Sequence, residues 1–170
     1  ASDYIFCVQG DGAQIIASII ESFRFDHVFY TGSTTVGKII YKMAAEQLTP
    51  VTLELGGKSP CVVEADANIK VAARRIAVTK FSNAGQMCVA PDYVLVHETV
   101  KQQLIEELKK SIKSFYSEAP SSSYSYGKMI HERQFDRVVR YIKNGNVIFG
   151  GKSDRNSLFI ETSLVNMNID

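Results

Sequence analysis

The sequence predicts an α/β fold. Short apolar runs rich in β-formers alternate with segments whose apolar residues recur at helical spacing. The runs are continuous rather than alternating in polarity, as strands covered on both faces of a parallel sheet require. Glycine, proline, asparagine and aspartate punctuate the junctions between them.

Taken in order, Tyr4–Val8 (YIFCV) reads as a first buried strand, followed by the turn QGDG, and Asp11 is placed to cap a helix. Ile15, Ile16, Ile19, Ile20 and Phe23 make one face of that helix. Asp26–Tyr30 is a second strand, Thr31–Thr34 a turn, and Val36, Ile39, Ile40, Met43 and Ala44 one face of a second helix. Val51–Leu55 is a strand bounded by Pro50 and by Gly56-Gly57, and Pro60–Glu64 is another. Asn68 caps a helix running to about Ser82, with Ile69, Ala72, Ala73, Ile76 and Ala77 inward. Tyr93–Val96 is a strand, and a long helix then buries Leu104, Ile105, Leu108, Ile112 and Phe115. The serine-rich stretch Ala119–Tyr126 reads as a loop with Tyr124 and Tyr126 in solvent. A helix over about residues 131–143 buries Phe135, Val138, Val139 and Ile142, and three short strands close the chain at 147–149, 158–160 and 164–166.

A length of 170 residues fits one domain or two partial ones. A net charge of +1 argues against nucleic acid or an anionic membrane as partner. No apolar run reaches the roughly 18 residues of a membrane span, and the opening ASDYIFCV lacks the basic start of a signal peptide. Three cysteines, Cys7, Cys61 and Cys88, are too few and too scattered for a disulfide framework or a zinc site. Free thiols suit the reducing cytoplasm. The chain opens on a strand-like run and stops after NMNID without a terminating feature, so a piece of a longer protein is expected. Gly56-Gly57 is the one plausible domain boundary.

Three places could carry chemistry. Phe29–Lys38 (FYTGSTTVGK) is a strand, a small-residue turn and a helix start, where outward backbone N–H groups favour an anion. Gly32 would admit a phosphate to the backbone and Ser33 could donate its hydroxyl; a plain capped helix is the alternative. Glu54 stands at the C-terminal end of its strand, the edge where open α/β sheets place ligands. Partial burial there would raise its carboxyl toward neutrality and suit a general base; a surface carboxylate on an edge strand is equally open. Cys88 lies between the turn Asn83-Ala84-Gly85 and Pro91. A thiol at a bend can be nucleophilic once it is a thiolate, although most free thiols are buried and structural. Cys7 and Cys61, inside apolar strands, suit that structural role. His27, His97 and His131 sit at element edges, as solvated groups do, but a Cys-His hydrolase stays open. Lys58 could approach a phosphate, with a surface lysine as the alternative.

Three segments in this order, FYTGSTTVGK, VTLELGGKSP (Val51–Pro60) and NAGQMCVAPDYVLV (Asn83–Val96), resemble the NAD(P)-dependent aldehyde dehydrogenase superfamily. The A-P-D-Y after the cysteine is most similar to its class 3, fatty and aromatic aldehyde branch. The resemblance implies the family's parallel-sheet-dominated, three-layer α/β fold, incomplete here. Residues 1–55 would be the end of a Rossmann-like cofactor domain and residues 56–170 much of the catalytic domain. It implies Cys88 as catalytic thiol and Glu54 as general base. Gly32, Ser33, Thr34, Thr35, Val36 and Gly37 would form the nucleotide turn, with Ser33 toward the pyrophosphate and Val36 by the adenosine. Leu55 and Gly56 would lie near the nicotinamide of NAD or NADP. The partner implied is a small aldehyde, oxidised to an acid through a thiohemiacetal and a thioester, in a parent that is a homodimer or homotetramer. Glu54 argues for water rather than CoA as acyl acceptor. The resemblance also implies missing parts: an adenosine-ribose lysine, an oxyanion-hole asparagine and an E-x-F-G-P segment beyond Asp170. This chain alone is therefore expected to be inactive. A thiol hydrolase or acyl-transfer domain, and a non-catalytic module on the same scaffold, are the other readings.

Overall fold

The computed structural model describes residues 4–166, so the expected domain limits at residues 1 and 170 lie outside the described residues. The chain divides into two compact units, residues 1–57 and 58–170.

The first unit is α1 (Gly12–Ser22), β1 (Val28–Gly32), α2 (Thr34–Glu46) and β2 (Val51–Leu55). Asp11 caps α1 by accepting the Gln14 N–H at 3.0 Å. β1 and β2 pair in parallel, Val28 with Val51 through Gly32 with Leu55. Parallel strands need a crossover, and α2 provides it. α2 buries Gly37, Ile40 and Ala44, while Val36 and Ile39 stay exposed, so its packed face is narrower than the periodicity suggests. α1 packs on α2, and Gln47 Nε2 donates to the Ile20 carbonyl at 2.6 Å.

Two expectations fail here. Tyr4–Val8 is not a strand, and Tyr4, Ile5, Phe6 and Val8 are exposed. No strand among the described residues pairs with it, and apolar β-formers without a partner ladder make no sheet. Thr31 and Gly32 belong to β1 rather than to the turn, because their ladder partners Glu54 and Leu55 extend β2 equally far.

The second unit opens with another strand–helix–strand crossover: β3 (Pro60–Val63), α3 (Ile69–Phe81) and β4 (Tyr93–Val96). β3 and β4 are parallel, Pro60 opposite Tyr93 and Val63 opposite Val96. Asn68 caps α3 through the Val71 N–H at 3.2 Å. α4 (Glu98–Tyr116) packs along α3. Ile69, Ala73, Ile76, Ala77 and Phe81 of α3 meet Leu104, Leu108, Ile112 and Tyr116 of α4 in the main core. Ile112 is only 2% exposed. Ile112→Ala is expected to cost about 2–5 kcal/mol, from lost transfer energy and an unfilled cavity; the urea midpoint of the whole protein measures it.

α5 (Glu132–Asn144) follows, then β5 (Asn146–Phe149) antiparallel to β8 (Leu164–Asn166), and β6 (Ser153–Asp154) antiparallel to β7 (Phe159–Ile160). β6 has no counterpart among the expected elements. Tyr126 is buried rather than solvated: its ring meets Tyr116 and Phe159 edge-on, and its hydroxyl donates to the Ile160 carbonyl at 2.9 Å. Burial pushes its phenol up. Tyr124, two residues earlier, is fully in solvent as expected.

Candidate active-site residues

In the first unit, the expected nucleotide residues gather at one sheet edge. β1 and β2 end side by side, with Thr31 opposite Glu54 and Gly32 opposite Leu55. The chain leaves β1 at Gly32 and starts α2 two residues later, at Thr34. Ser33 is the N-cap: its hydroxyl oxygen accepts the Val36 N–H at 3.3 Å. Among the described residues the Ser33 O–H donates to no acceptor, and the N–H groups of Thr34 and Thr35 have no intrahelical acceptor. Ser33, Thr34 and Thr35 are all exposed.

Gly37 explains why the helix start can sit so close to the strands. It is buried, and a Cβ there would come within 3.1 Å of Leu55 Cδ2 and 3.5 Å of the Tyr30 ring. A Cβ at Gly32 would collide with the Tyr30 hydroxyl. Exposed N–H groups, hydroxyls and a positive helix end fit the pyrophosphate of a dinucleotide. Glu54 is exposed, so of the two alternatives left open by the sequence the surface carboxylate is the one found. Leu53 and Leu55 face α2, and strand alternation turns Glu54 to the opposite face.

Cys88 stands on the second unit. α3 ends at the buried Phe81, and Ser82 Oγ donates to the Val78 carbonyl at 2.6 Å. Asn83, Ala84 and Gly85 then follow with φ of 49°, 54° and 79°. Three successive left-handed residues reverse the chain, and two of them carry a Cβ, at about 1–2 kcal/mol each. Gly85 has a second constraint, since a Cβ would lie 3.2 Å from the Lys80 carbonyl. Gly85→Ala is therefore expected to destabilise by about 1–2 kcal/mol, and Ala84→Gly to stabilise by about 0.5–1 kcal/mol. Chemical denaturation of both variants checks the opposite signs.

Past this reversal, Met87, Cys88 and Val89 are exposed, and Ala90 turns inward at 6% exposure with its N–H on the Met87 carbonyl at 3.2 Å. Among the described residues the Cys88 N–H makes no hydrogen bond. Asp92 fixes the far end of the turn: its N–H donates to the Ser59 carbonyl, and its carboxylate pairs with Lys58, both at 2.8 Å. Hydrogen bonding and charge from Asp92 hold the Lys58 ammonium above its ordinary range. Lys58 is thus a surface lysine engaged with Asp92. Lys80, half-buried below the turn, has its amine lowered chiefly by burial, against the pull of Asp92.

The other thiols differ. Cys7 is exposed, not buried as expected, because its segment is not a strand. Cys61 is half-buried in β3, and burial raises its thiol. His97 and His131 accept the N–H groups of Thr99 and Gln134 as caps of α4 and α5. His27 Nε2 lies 2.9 Å from Thr52 Oγ1.

Gln86 and Lys80 escaped the sequence reading. Gln86 bonds residues far along the chain, and no local pattern marks it. No three His, Cys, Asp or Glu side chains gather as a metal site among the described residues, and no helix among them is long and apolar enough to cross a membrane.

Residues 2–167 match the family model described as "Aldehyde dehydrogenase family". The dimeric NADP-preferring aldehyde dehydrogenase of Rattus norvegicus is 53% identical over 142 residues, 84% of this chain and 31% of that protein. The 4,4'-diaponeurosporen-aldehyde dehydrogenase of Staphylococcus aureus is 46% identical over 96% of this chain and 36% of its own length. A solved structure, the substrate-bound state of Staphylococcus aureus AldH, superposes with a TM-score of 0.89 at 45% identity, over 96% of this chain and 36% of that one. The chain thus spans about a third of the length of these relatives, with 31–36% covered. The chain belongs to the aldehyde dehydrogenase family.

Proposed function

We propose that the whole protein oxidises an aldehyde to a carboxylic acid with NAD or NADP, with Cys88 as nucleophile and Glu54 as general base. The observation that carries this is the presentation of Cys88: an exposed thiol on a turn braced at both ends, with its own N–H unengaged among the described residues. The first unit would supply the end of the cofactor domain, from residue 1 to about 55, and the remainder much of the catalytic domain.

The edge from Gly32 to Gly37 would hold the dinucleotide, the Ser33 hydroxyl and the Thr34 and Thr35 N–H groups receiving the pyrophosphate. Val36 would lie by the adenosine, and Leu55 and Gly56 near the nicotinamide. When bound, the nicotinamide supplies the hydride acceptor. Cys88 adds as thiolate to the aldehyde carbonyl, and its N–H donates to the oxyanion that forms. Once the thiohemiacetal is oxidised, Cys88 carries the acyl group as a thioester. Glu54 takes a proton from water, which attacks the thioester and releases the acid and the Cys88 thiol. Three free cysteines suit a reducing compartment such as the cytoplasm. A homodimer or homotetramer is the assembly proposed for the whole protein; the rat relative is named as dimeric.

The test is NADH and NADPH formation by the whole protein with benzaldehyde and a long-chain aliphatic aldehyde. Turnover with either aldehyde and either cofactor is expected, and none from residues 1–170 alone. Ester or thioester hydrolysis without dinucleotide, and no aldehyde oxidation, would place the protein among thiol hydrolases.

A further inference from the structure

Gln86 lies two positions before Cys88, and its carboxamide is fully engaged. Nε2 donates to the carbonyls of Asn83 and Lys128, both at 3.0 Å, and Oε1 accepts the Ile130 N–H at 2.9 Å. The Gln86 backbone is tied as well, its N–H to the Asn83 carbonyl at 3.1 Å and its carbonyl to Asn83 Nδ2 at 3.4 Å.

The segment that Gln86 grips is anchored independently. Met129 is buried, and its N–H donates to the Leu158 carbonyl at 2.9 Å. The Lys128 ammonium sits 4.8 Å above the Phe159 ring. A Cβ at Gly127 would stand 3.5 Å from the Ala84 nitrogen, so this segment lies directly against the left-handed turn. Only a primary amide joins two donor hydrogens and an acceptor at this reach without charge. Asn83 and Ala84 hold a conformation that is uphill without an external brace.

We propose that Gln86 is a positioning residue for the reaction at Cys88: its carboxamide clamps the left-handed turn to the Lys128 and Ile130 backbone and so fixes where the thiol points. The proposal rests on the reading of Cys88 as nucleophile.

The experiment uses the whole protein as wild type, Gln86→Ala, Gln86→Glu and Cys88→Ser. kcat and KM for benzaldehyde are measured from pH 5.5 to 8.5 per folded site, with melting temperature and dinucleotide affinity beside them. Gln86→Ala is expected to lower kcat about 10–100-fold while dinucleotide affinity stays within about twofold, as for a small misplacement of a reacting group. Gln86→Glu keeps the acceptor for Ile130 but sets a carboxylate against two carbonyls; its protonation restores a donor. The ratio of its kcat to wild type is therefore expected to rise about fivefold or more as pH falls across that range. Should Gln86→Ala not fold, this ratio decides alone. A purely structural role leaves kcat per folded site, or the Gln86→Glu ratio, unchanged, and that result overturns the clamp. Retained turnover in Cys88→Ser overturns the nucleophile reading and the clamp with it. An inactive Cys88→Ser beside unaffected Gln86 variants overturns the clamp alone.

Discussion

Serine in place of Cys88 is expected to lower acid formation by the whole protein at least about 10³-fold, some 4 kcal/mol of barrier. The substitution changes one atom of an exposed side chain on a turn whose shape is set elsewhere, by Asn83–Gly85, Gln86 and Asp92. Folding should therefore be unaffected. A thiolate is a strong nucleophile in its own right, whereas a serine hydroxyl needs a dedicated base. Both histidines of the second unit are occupied as helix caps: His97 accepts the Thr99 N–H and His131 the Gln134 N–H. Turnover at the wild-type rate would remove Cys88 from the mechanism.

Glu54→Gln is expected to lower steady-state turnover about 10²–10³-fold by a different route, through loss of a proton acceptor. Glutamine preserves shape, and Glu54 is exposed on β2, so stability should change by no more than about 0.5 kcal/mol. The two variants differ in the first turnover. Cys88→Ser should form no NADH or NADPH. Glu54→Gln should form a burst approaching one equivalent per site and then stall, because the acyl group waits on Cys88 for an activated water. Rapid mixing with absorbance detection separates them. An absent burst with an equally slow first turnover would move Glu54 to an earlier step, such as deprotonation of the thiol.

The elements most legible in the sequence were those with local punctuation. β2 was bounded by Pro50 and Gly56, and its observed limits, Val51–Leu55, are those expected. Asp11 and Asn68 declared the starts of α1 and α3 because capping is a local bond to the helix's own N–H groups. Failures came where the deciding partner was distant or absent. Tyr4–Val8 has strand composition, but a ladder is a property of two segments. Tyr126 looked solvated within a serine-rich loop, yet the rings that enclose it, Tyr116 and Phe159, come from other elements.

The candidate site divided in the same way. Ser33 and the helix start after β1 were visible as a strand, turn and helix pattern. The conformation that presents Cys88 was not, since alanine has no preference for the left-handed region and Ala84 is held there by its surroundings. Gln86 was hidden for a related reason: its partners lie 42 and 44 residues further on. Glu54 was found by its place at a strand end, but its exposure follows from which face of β2 packs on α2.

The proposed mechanism turns on a covalent acyl intermediate on Cys88. Its most direct test is peptide mass spectrometry of the whole protein carrying Glu54→Gln, quenched in acid during turnover of benzaldehyde with NADP. A benzoyl adduct is expected on the peptide containing Cys88, dependent on the dinucleotide and absent from Cys7 and Cys61. An adduct on another cysteine, or steady acid formation with Cys88 unmodified and alkylatable throughout, would contradict it.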